Sequence, residues 1–466
     1  MKTDGAEIGQ GKGLFLVYFT VLWERFSYYG MTALLVLFLT ASAVQGGMGM
    51  NVADATAIFG TFTGLIYLMP LIGGYLADRY IGERMCISIG AFLIAAGDFC
   101  LFYFSSTTVQ LWIALALIIA GNGFFKSSCS NIVGEFFQKN EVSKKDAAYS
   151  VFYMAVNIGA FAAPLITGLA SESWFAAFDS SGTIVSYGYR ISFLICGIGM
   201  LLGFFVFTVF GGRCIGEVGK YPSFKTSAQQ EKNQTKNAAA LTQVEKNRIL
   251  AMAIIFIFVV IFWAAWYQTL SSFSLFTRDL VNRKIGGFEM PVAWFTSINA
   301  ILCIALAPVL AAVWVKLAQT KRGDLSIPSK MGWGMIISGA GFLILILAIV
   351  SLGGVLDGSR KANMLYVLVT YLFLTVGELF LSPIGLSMFN KLAPAKYTTL
   401  AMGIWYLSSF FASLLSGKLA GLTAMMGFKQ IFEVIAVVLI IFGAVLIVMR
   451  KPITKLMALD ELSKQE

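Results

Sequence analysis

An acid and a base stand side by side inside the first long apolar segment of the chain, at Glu24 and Arg25. A charged side chain at the centre of a membrane-spanning helix costs about 2.5 to 3.5 kcal/mol, so such groups face a protein interior or a watery cavity. Lys126 and Glu378 lie inside two further apolar segments. Charges at this depth mark the pathways of polar solutes. The pattern predicts that the chain moves something polar through a membrane.

Composition supports the membrane assignment. Of the 466 residues, 58% are hydrophobic and only 12% are charged, whereas soluble domains carry about 25% charged residues. The six Cys are scattered without a CxxC pair, which argues against a metal or redox site. The chain has no His, the residue most used in acid–base catalysis, and no nucleotide-binding glycine loop. We therefore expect neither an enzyme nor a cofactor or metal site.

The hydropathy pattern predicts an all-α integral membrane protein with about twelve transmembrane helices. Each apolar stretch has about the 20 residues that a spanning helix needs. The first has no cleavage site at its end, so we expect a retained helix instead of a signal peptide. The predicted segments are 13–41, 55–77, 86–105, 109–137, 147–170, 189–212, 248–277, 291–318, 328–352, 364–390, 397–424 and 429–450.

The net charge of +10 follows the topology. Most Lys and Arg fall in segments that are cytoplasmic if both termini are inside, as the positive-inside rule requires. We therefore expect no nucleic-acid partner, cytoplasmic termini and a bacterial inner membrane.

One long polar stretch, 213–247, divides the apolar segments six and six. We interpret it as a cytoplasmic linker between an N-terminal bundle, 1–212, and a C-terminal bundle with its tail, 248–466. Transporters built from repeated halves bind substrate near the membrane midplane between the halves.

A glycine-rich loop, GGYLADRYIGER, joins the second and third segments. Paired Gly let helices approach closely, and Asp78, Arg79 and Arg84 are candidates for a conformational gate of charges. The alternative is an ordinary basic cytoplasmic loop. With this loop the chain resembles the major facilitator superfamily, which implies two six-helix bundles.

The resemblance sharpens to the proton-dependent oligopeptide transporter family. ERFSYYG, GFFK, FYMAVNIGA and GELFLSPIGLS match its markers in order, together with Ser297-Ile298-Asn299 and Trp405. The resemblance implies that Arg25 and Lys126 bind the carboxyl end of a peptide and that Glu378 binds its amino end. The resemblance also implies that Asn157 and Asn299 hydrogen-bond the peptide backbone, since amide side chains both donate and accept hydrogen bonds.

The family positions also imply a wall of large side chains that accepts many peptides. The alternative for each aromatic residue is ordinary helix packing or an interfacial belt. The resemblance adds the following substrate-binding candidates: Tyr28, Tyr29, Tyr67, Trp263, Tyr267, Ser382 and Trp405.

Three positions depart from the family pattern. Val21 replaces the first Glu of ExxER, Thr32 replaces an Arg, and Tyr267 replaces the acid before Gln in the seventh helix. In the family that acid pairs with the Lys of the fourth helix. We therefore expect Lys126 to use Glu24 or a substrate carboxylate, and the proton coupling to be rewired.

Without His, the proton carrier must be a carboxylate, and burial can raise a carboxyl pKa toward neutrality. The candidates are Glu24, Glu378 and Asp98, in that order, although Asp98 could instead sit at a helix end or cap a neighbouring helix. Protonation of Glu24 would release Arg25 and Lys126 for a substrate carboxylate.

The predicted function is proton-coupled import of di- and tripeptides by alternating access, with membrane lipid as its surroundings and a monomer as its expected state. Two alternatives stay open. One is a facilitator or carrier of another small zwitterion or carboxylate, and the other is a peptide sensor that transports nothing.

Overall fold

Long helices make up most of the protein. The computed structural model describes residues 2–138, 141–222, 242–320, 323–354, 356, 358–393 and 398–457. The helices in these ranges are α1 (Lys2–Thr40), α2 (Val52–Leu76), α3 (Glu83–Tyr103), α4 (Thr108–Glu135), α5 (Val142–Leu169), α6 (Tyr189–Cys214), α7 (Gln243–Trp266), α8 (Ser272–Leu280), α9 (Trp294–Ala318), α10 (Ile327–Ser351), α11 (Met364–Leu392), α12 (Thr398–Gly421), α13 (Thr423–Val448) and α14 (Arg450–Met457).

Eleven of the twelve predicted segments each fall mainly on one long helix, and the segment 248–277 extends from α7 through a 3-10 turn (Tyr267–Leu270) into α8. Within the described ranges, ten helical stretches are long and apolar enough to cross a membrane on length and composition alone. Lipid offers no hydrogen-bond partners to the backbone, and a helix satisfies its backbone groups internally. The prediction of an all-α membrane protein with about twelve spanning helices is confirmed.

Threonine caps begin two of these helices. The Thr107 hydroxyl accepts from the backbone N–H of Gln110 at the start of α4, and the Gln110 side chain accepts in return. Thr242 and Glu245 form the same box at the start of α7. Each box satisfies N–H groups that the first helical turn leaves open.

The chain forms two compact units. Unit 1 consists of residues 1–50 and 65–238, and unit 2 of residues 51–64 and 239–466. Residues 223–241, the middle of the predicted linker, lie outside the described residues. The division into 1–212, 213–247 and 248–466 therefore stays a prediction.

Glycine allows the helices of unit 1 to touch. Here α1 packs against α5 and α6, and α3 packs against α4 and α6. A Cβ on Gly73 of α2 would overlap the backbone carbonyl of Gly123 in α4. The two helices therefore meet backbone to backbone, three residues before Lys126.

The first turns of α2 pack within unit 2 for a similar reason. A Cβ on Gly60 would lie 2.6 Å from the carbonyl oxygen of Ser413, and one on Gly417 would lie 2.6 Å from that of Thr56. Two glycines on crossing helices thus let α2 approach α12 closely. This contact explains why residues 51–64 group with unit 2.

Short strands occur in the loops. β1 (Ala177–Phe178) pairs with β2 (Ile184–Ser186) in unit 1. In unit 2, β3 (Val281–Asn282) pairs in parallel with β6 (Ala362–Asn363), and β4 (Lys284–Ile285) pairs with β5 (Phe288–Glu289) in a hairpin. The β3–β6 ladder joins the chain after α8 to the chain before α11.

Candidate functional site

Arg25 is held by its neighbour Glu24 in the interior of unit 1. Its Nε donates to Glu24 Oε2, and a terminal guanidinium nitrogen donates to Oε1, both over 2.5 Å. The exposed fraction of the side chain is 1% for Glu24 and 10% for Arg25. Bidentate charge-assisted pairs are among the strongest hydrogen bonds in proteins. The pair neutralises the guanidinium in this structure.

Lys126 of α4 places a second cation beside this pair. Its ammonium lies 4.1 Å from the centre of the Tyr67 ring, and the charges of Arg25 and Glu24 both act on it. Two cations thus lie close to the carboxylate of Glu24, and these three groups together carry more positive than negative charge.

Three predicted aromatic residues surround these cations. The Arg25 guanidinium carbon lies 5.2 Å from the centre of the Tyr28 ring, and the ring centres of Tyr28 and Tyr29 are 5.2 Å apart. Tyr28 also shares a side-chain hydrogen bond with Tyr67. An aromatic face attracts a cation electrostatically. The structure thus brings Tyr28, Tyr29 and Tyr67 together with the two cations.

Asn157 lies near the crossing of α5 and α1. A Cβ on Gly159 would come within 2.7 Å of the Leu22 carbonyl and 2.9 Å of the Arg25 Cβ. Asn157 is two residues away on α5, and its amide nitrogen donates to the backbone oxygen of Tyr153 over 3.0 Å. In this structure the amide nitrogen is therefore bonded to its own helix.

Asp98 lies within α3 and is completely buried. The Ser27 hydroxyl of α1 donates to its Oδ2 over 2.5 Å, and Oδ1 has no hydrogen-bond partner among the described residues. Ser27 follows Glu24 by one helical turn. The position inside α3, bonded to a side chain, differs from the alternative of a helix end or cap.

The candidate gate residues follow α2 in a π-helical turn, Ala77–Ile81, and at the start of α3. Arg79 donates to the Tyr75 hydroxyl over 2.8 Å, and Arg84 donates to the Gly216 carbonyl over 2.9 Å. Asp78 is half-buried, and its charge acts on Glu83. Arg84 thereby ties this loop to the chain after α6, and the role of these residues as a gate stays a prediction.

Glu378 is held by an amide and surrounded by helices of unit 2. The Asn299 side-chain nitrogen donates to Glu378 Oε2 and to the Thr375 hydroxyl, both over 3.0 Å. Thr375 precedes Glu378 by three residues on α11, so both lie on one side of that helix. In the structure α9 and α11 thus bring Asn299 and Glu378 into direct contact.

Aromatic residues at the end of α7 form the next part of unit 2. The rings of Trp263 and Tyr267 stack with centres 5.6 Å apart, and Trp266 packs edge-on against both. Trp266 lies beside Glu378, and its buried indole N–H acts on that carboxylate. A carboxylate and an indole donor are thus neighbours.

Trp405 of α12 packs against α11. Its ring centre is 5.2 Å from that of Phe389, and a Cβ on Gly385 would come within 2.5 Å of the indole. Only 7% of Trp405 is exposed. Ser382, half-buried, follows Glu378 by one turn of α11. Ser382 therefore lies on the same side of α11 as Glu378, and Trp405 packs against that side.

A family model described as the POT family matches residues 84–227 and 220–438. The chain belongs to the POT family. This confirms the resemblance that the sequence motifs predicted.

Individual proteins are similar to this chain over nearly its whole length. A peptide transporter of Yersinia enterocolitica, YePEPT, is 32% identical over 504 residues, covering 96% of this chain and 94% of that protein. The uncharacterized transporter YclF of Bacillus subtilis is 30% identical and covers 96% and 95%. The crystal structure of a mutant peptide transporter POT in complex with alafosfalin has a TM-score of 0.84 at 29% identity and covers 96% of both chains.

The three departures from the POT pattern are occupied by packed side chains. Val21 is 2% exposed and belongs to the apolar core of unit 1. Thr32 is buried and donates to the backbone oxygen of Tyr28 over 2.8 Å. Tyr267 stacks on Trp263. The charge of Glu24 acts on Lys126, and the expected change of partner stays a prediction.

Sequence reasoning did not select two neighbours of Glu378, which are Trp266 and Thr375. Helical spacing in the sequence could have identified both residues. Trp266 follows Trp263 by three residues, and Thr375 precedes Glu378 by three, so each shares a helix face with a residue that the sequence did identify.

Proposed function

We propose that this POT-family chain imports di- and tripeptides together with protons, by alternating access, with no other cofactor and no enzymatic step. The observation that carries the proposal is the charge of two clusters, one within each unit. In unit 1 the cations Arg25 and Lys126 lie with the carboxylate of Glu24, and in unit 2 the half-buried Glu378 is held by an uncharged amide. A zwitterionic peptide has one end of each sign, so each cluster by itself suits one of its ends. The printed names of relatives, such as the di-/tripeptide transporter of Lactococcus lactis, support this substrate class.

The proton acts on Glu24 in this mechanism. While Glu24 is ionised, both of its oxygens accept from Arg25. A proton on Glu24 removes the charge that holds the guanidinium and leaves two cations for a peptide carboxylate. Binding of the proton therefore increases the affinity for the peptide, and binding of the peptide increases the affinity for the proton, which is the coupling that symport requires.

The remaining site residues have supporting roles in this proposal. Asn157 and Asn299 bind the peptide backbone, and Asp98 is a further proton carrier. Asp78, Arg79 and Arg84 form the cytoplasmic gate. The side chains of the peptide meet the aromatic wall together with Ser382.

We also propose a bacterial inner membrane, with both termini cytoplasmic and the monomer as the working unit. The bacterial sources of the relatives support the membrane. The distribution of Lys and Arg supports the orientation.

The direct test is uptake of labelled dialanine into liposomes that contain the purified protein, under an inward proton gradient. We expect accumulation above the external concentration, and its collapse on addition of an uncoupler. Accumulation that survives the uncoupler would contradict proton coupling. Failure to transport dialanine, combined with counterflow of another small zwitterion, would contradict the peptide assignment.

A substitution at Glu378 tests the amino-end assignment. Glu378→Gln keeps the size of the side chain and removes its charge. We expect the inhibition constant of dialanine to rise about tenfold or more, since charge-assisted hydrogen bonds contribute about 1.5 to 3 kcal/mol. N-acetyl-dialanine, which lacks the ammonium, should compete equally weakly against both proteins. Glu433→Gln, an exposed acid of the same unit, is the control. A dialanine constant that matches the wild-type value would remove Glu378 from this role.

A further inference from the structure

An apolar groove opens between α9, α10 and α11 of unit 2. It encloses about 430 Å³, within the range of about 300 to 1,000 Å³ that holds small molecules. Its described lining contains one charged side chain, Lys391, and one hydroxyl, Ser387. The rest of the described lining is apolar and includes Ala311, Trp314, Leu379 and Pro383.

The groove is distinct from the Glu378 site. At about 100° per residue, the stripe Leu379, Pro383, Ser387 and Lys391 lies on the side of α11 away from Glu378. Lys391 is also 13 residues beyond Glu378, or about 20 Å along the helix axis at 1.5 Å per residue. The groove therefore belongs to the end of unit 2 where α9 and α11 finish and α10 begins.

The charge at this end is positive. Lys391 is exposed and has no ion-pair partner among the described residues. The nearby Lys330 is already paired with Asp324 over 2.5 Å, and its ammonium lies 4.3 Å from the centre of the Trp314 ring. Trp314 itself contacts Phe380 edge-on at 4.8 Å. The groove thus ends in an unpaired cation and a tryptophan.

The corresponding helices of unit 1 show that such a groove is not a necessity of the fold. In each half, the second and fourth long helices are neighbours. In unit 1 these are α2 and α4, which meet backbone to backbone at Gly73 and Gly123. In unit 2 they are α9 and α11, and the groove lies between them.

We propose that the groove binds one acyl chain of an anionic phospholipid, with its phosphate at Lys391. The apolar lining suits a hydrocarbon chain. A tryptophan near the charged end suits the level of the headgroups. Basic pockets between transmembrane helices on the cytoplasmic side bind anionic headgroups, and the positive-inside distribution puts Lys391 on that side. This inference does not depend on the transported substrate.

Two matched pairs of variants test the proposal. Lys391→Gln removes the groove cation, and Lys316→Gln removes an equally exposed and unpaired lysine in the last turn of α9, which points away from the groove by helical spacing. Ala311→Trp fills the groove. Ala312→Trp puts the same bulk on the other side of α9.

The measurement is native mass spectrometry of the full chain with dioleoyl phosphatidylglycerol or dioleoyl phosphatidylcholine. We expect wild type and Lys316→Gln to retain phosphatidylglycerol in preference to phosphatidylcholine. In Lys391→Gln this preference should fall about fivefold, because a lysine near an anionic surface contributes about 1 kcal/mol. Ala311→Trp should lose the retained lipid and Ala312→Trp should keep it. Equal lipid retention by the two variants of either pair would overturn the proposal. A dimer of the chain observed in place of the lipid-bound monomer would also overturn it, as would displacement of the lipid by inorganic phosphate alone.

Discussion

Replacing Lys126 by Ala should weaken peptide binding by about 30-fold or more. Truncating one partner of a buried charge pair costs about 2 to 5 kcal/mol, and each 1.4 kcal/mol is a factor of ten. In the proposed mechanism Glu24 holds Lys126 less directly than it holds Arg25, because both Glu24 oxygens accept hydrogen bonds from Arg25. The measurement is the concentration of dialanine that half-saturates counterflow in liposomes.

The control for this variant is Lys144→Ala. Lys144 lies on α5, and its side chain is 59% exposed in a pair with Glu141, so its loss should change affinity little. Thermal unfolding of both variants in detergent checks that the fold persists. A half-saturating concentration equal to that of wild type would exclude Lys126 from the carboxylate site.

The second large effect is expected at Glu24. Glu24→Gln imitates the protonated side chain, so Arg25 and Lys126 are permanently available to a carboxylate while the proton site is gone. Accumulation under an inward proton gradient should disappear, and counterflow of peptide should continue.

Glu217→Gln serves as the matched control, since Glu217 is exposed and paired with Lys220 at the surface. It should accumulate peptide as wild type does. If Glu24→Gln accumulates peptide to the same level, the coupling carboxylate must be Glu378 or Asp98. Parallel loss of accumulation and counterflow would instead show that the ion pair with Arg25 is needed for the fold.

Hydropathy was sufficient to predict the helices, because a spanning helix must be both apolar and about 20 residues long. The motifs identified the charged residues of the candidate site, and the roles of these residues stay predictions. The bidentate bond between Glu24 and Arg25 was not predictable in the same way. Adjacent residues on a helix point about 100° apart, and only the two side-chain conformations in the packed protein bring their ends together.

Packing between distant segments was also beyond the sequence pattern. Nothing in the hydropathy of α2 indicates that Gly60 meets α12 while Gly73 meets α4. Each contact depends on a partner glycine or carbonyl far away in the chain. For Trp266 the limit was of another kind, because its spacing from Trp263 was visible in the sequence but the position of its indole N–H beside Glu378 appears only in three dimensions.

The β3–β6 ladder has a consequence for how sequences of this family vary. The chain after α8 and the chain before α11 are held by backbone groups, which every residue except proline supplies alike. Val281 and Ala362 face inward and are buried, whereas Asn282 and Asn363 are exposed. Substitution of the exposed residues therefore leaves the backbone bonds of the ladder in place, although the Asn363 side chain also caps α11 by accepting from the Leu365 N–H. A sequence alignment would accordingly carry a trace of the helix cap but little trace of the contact between the two loops.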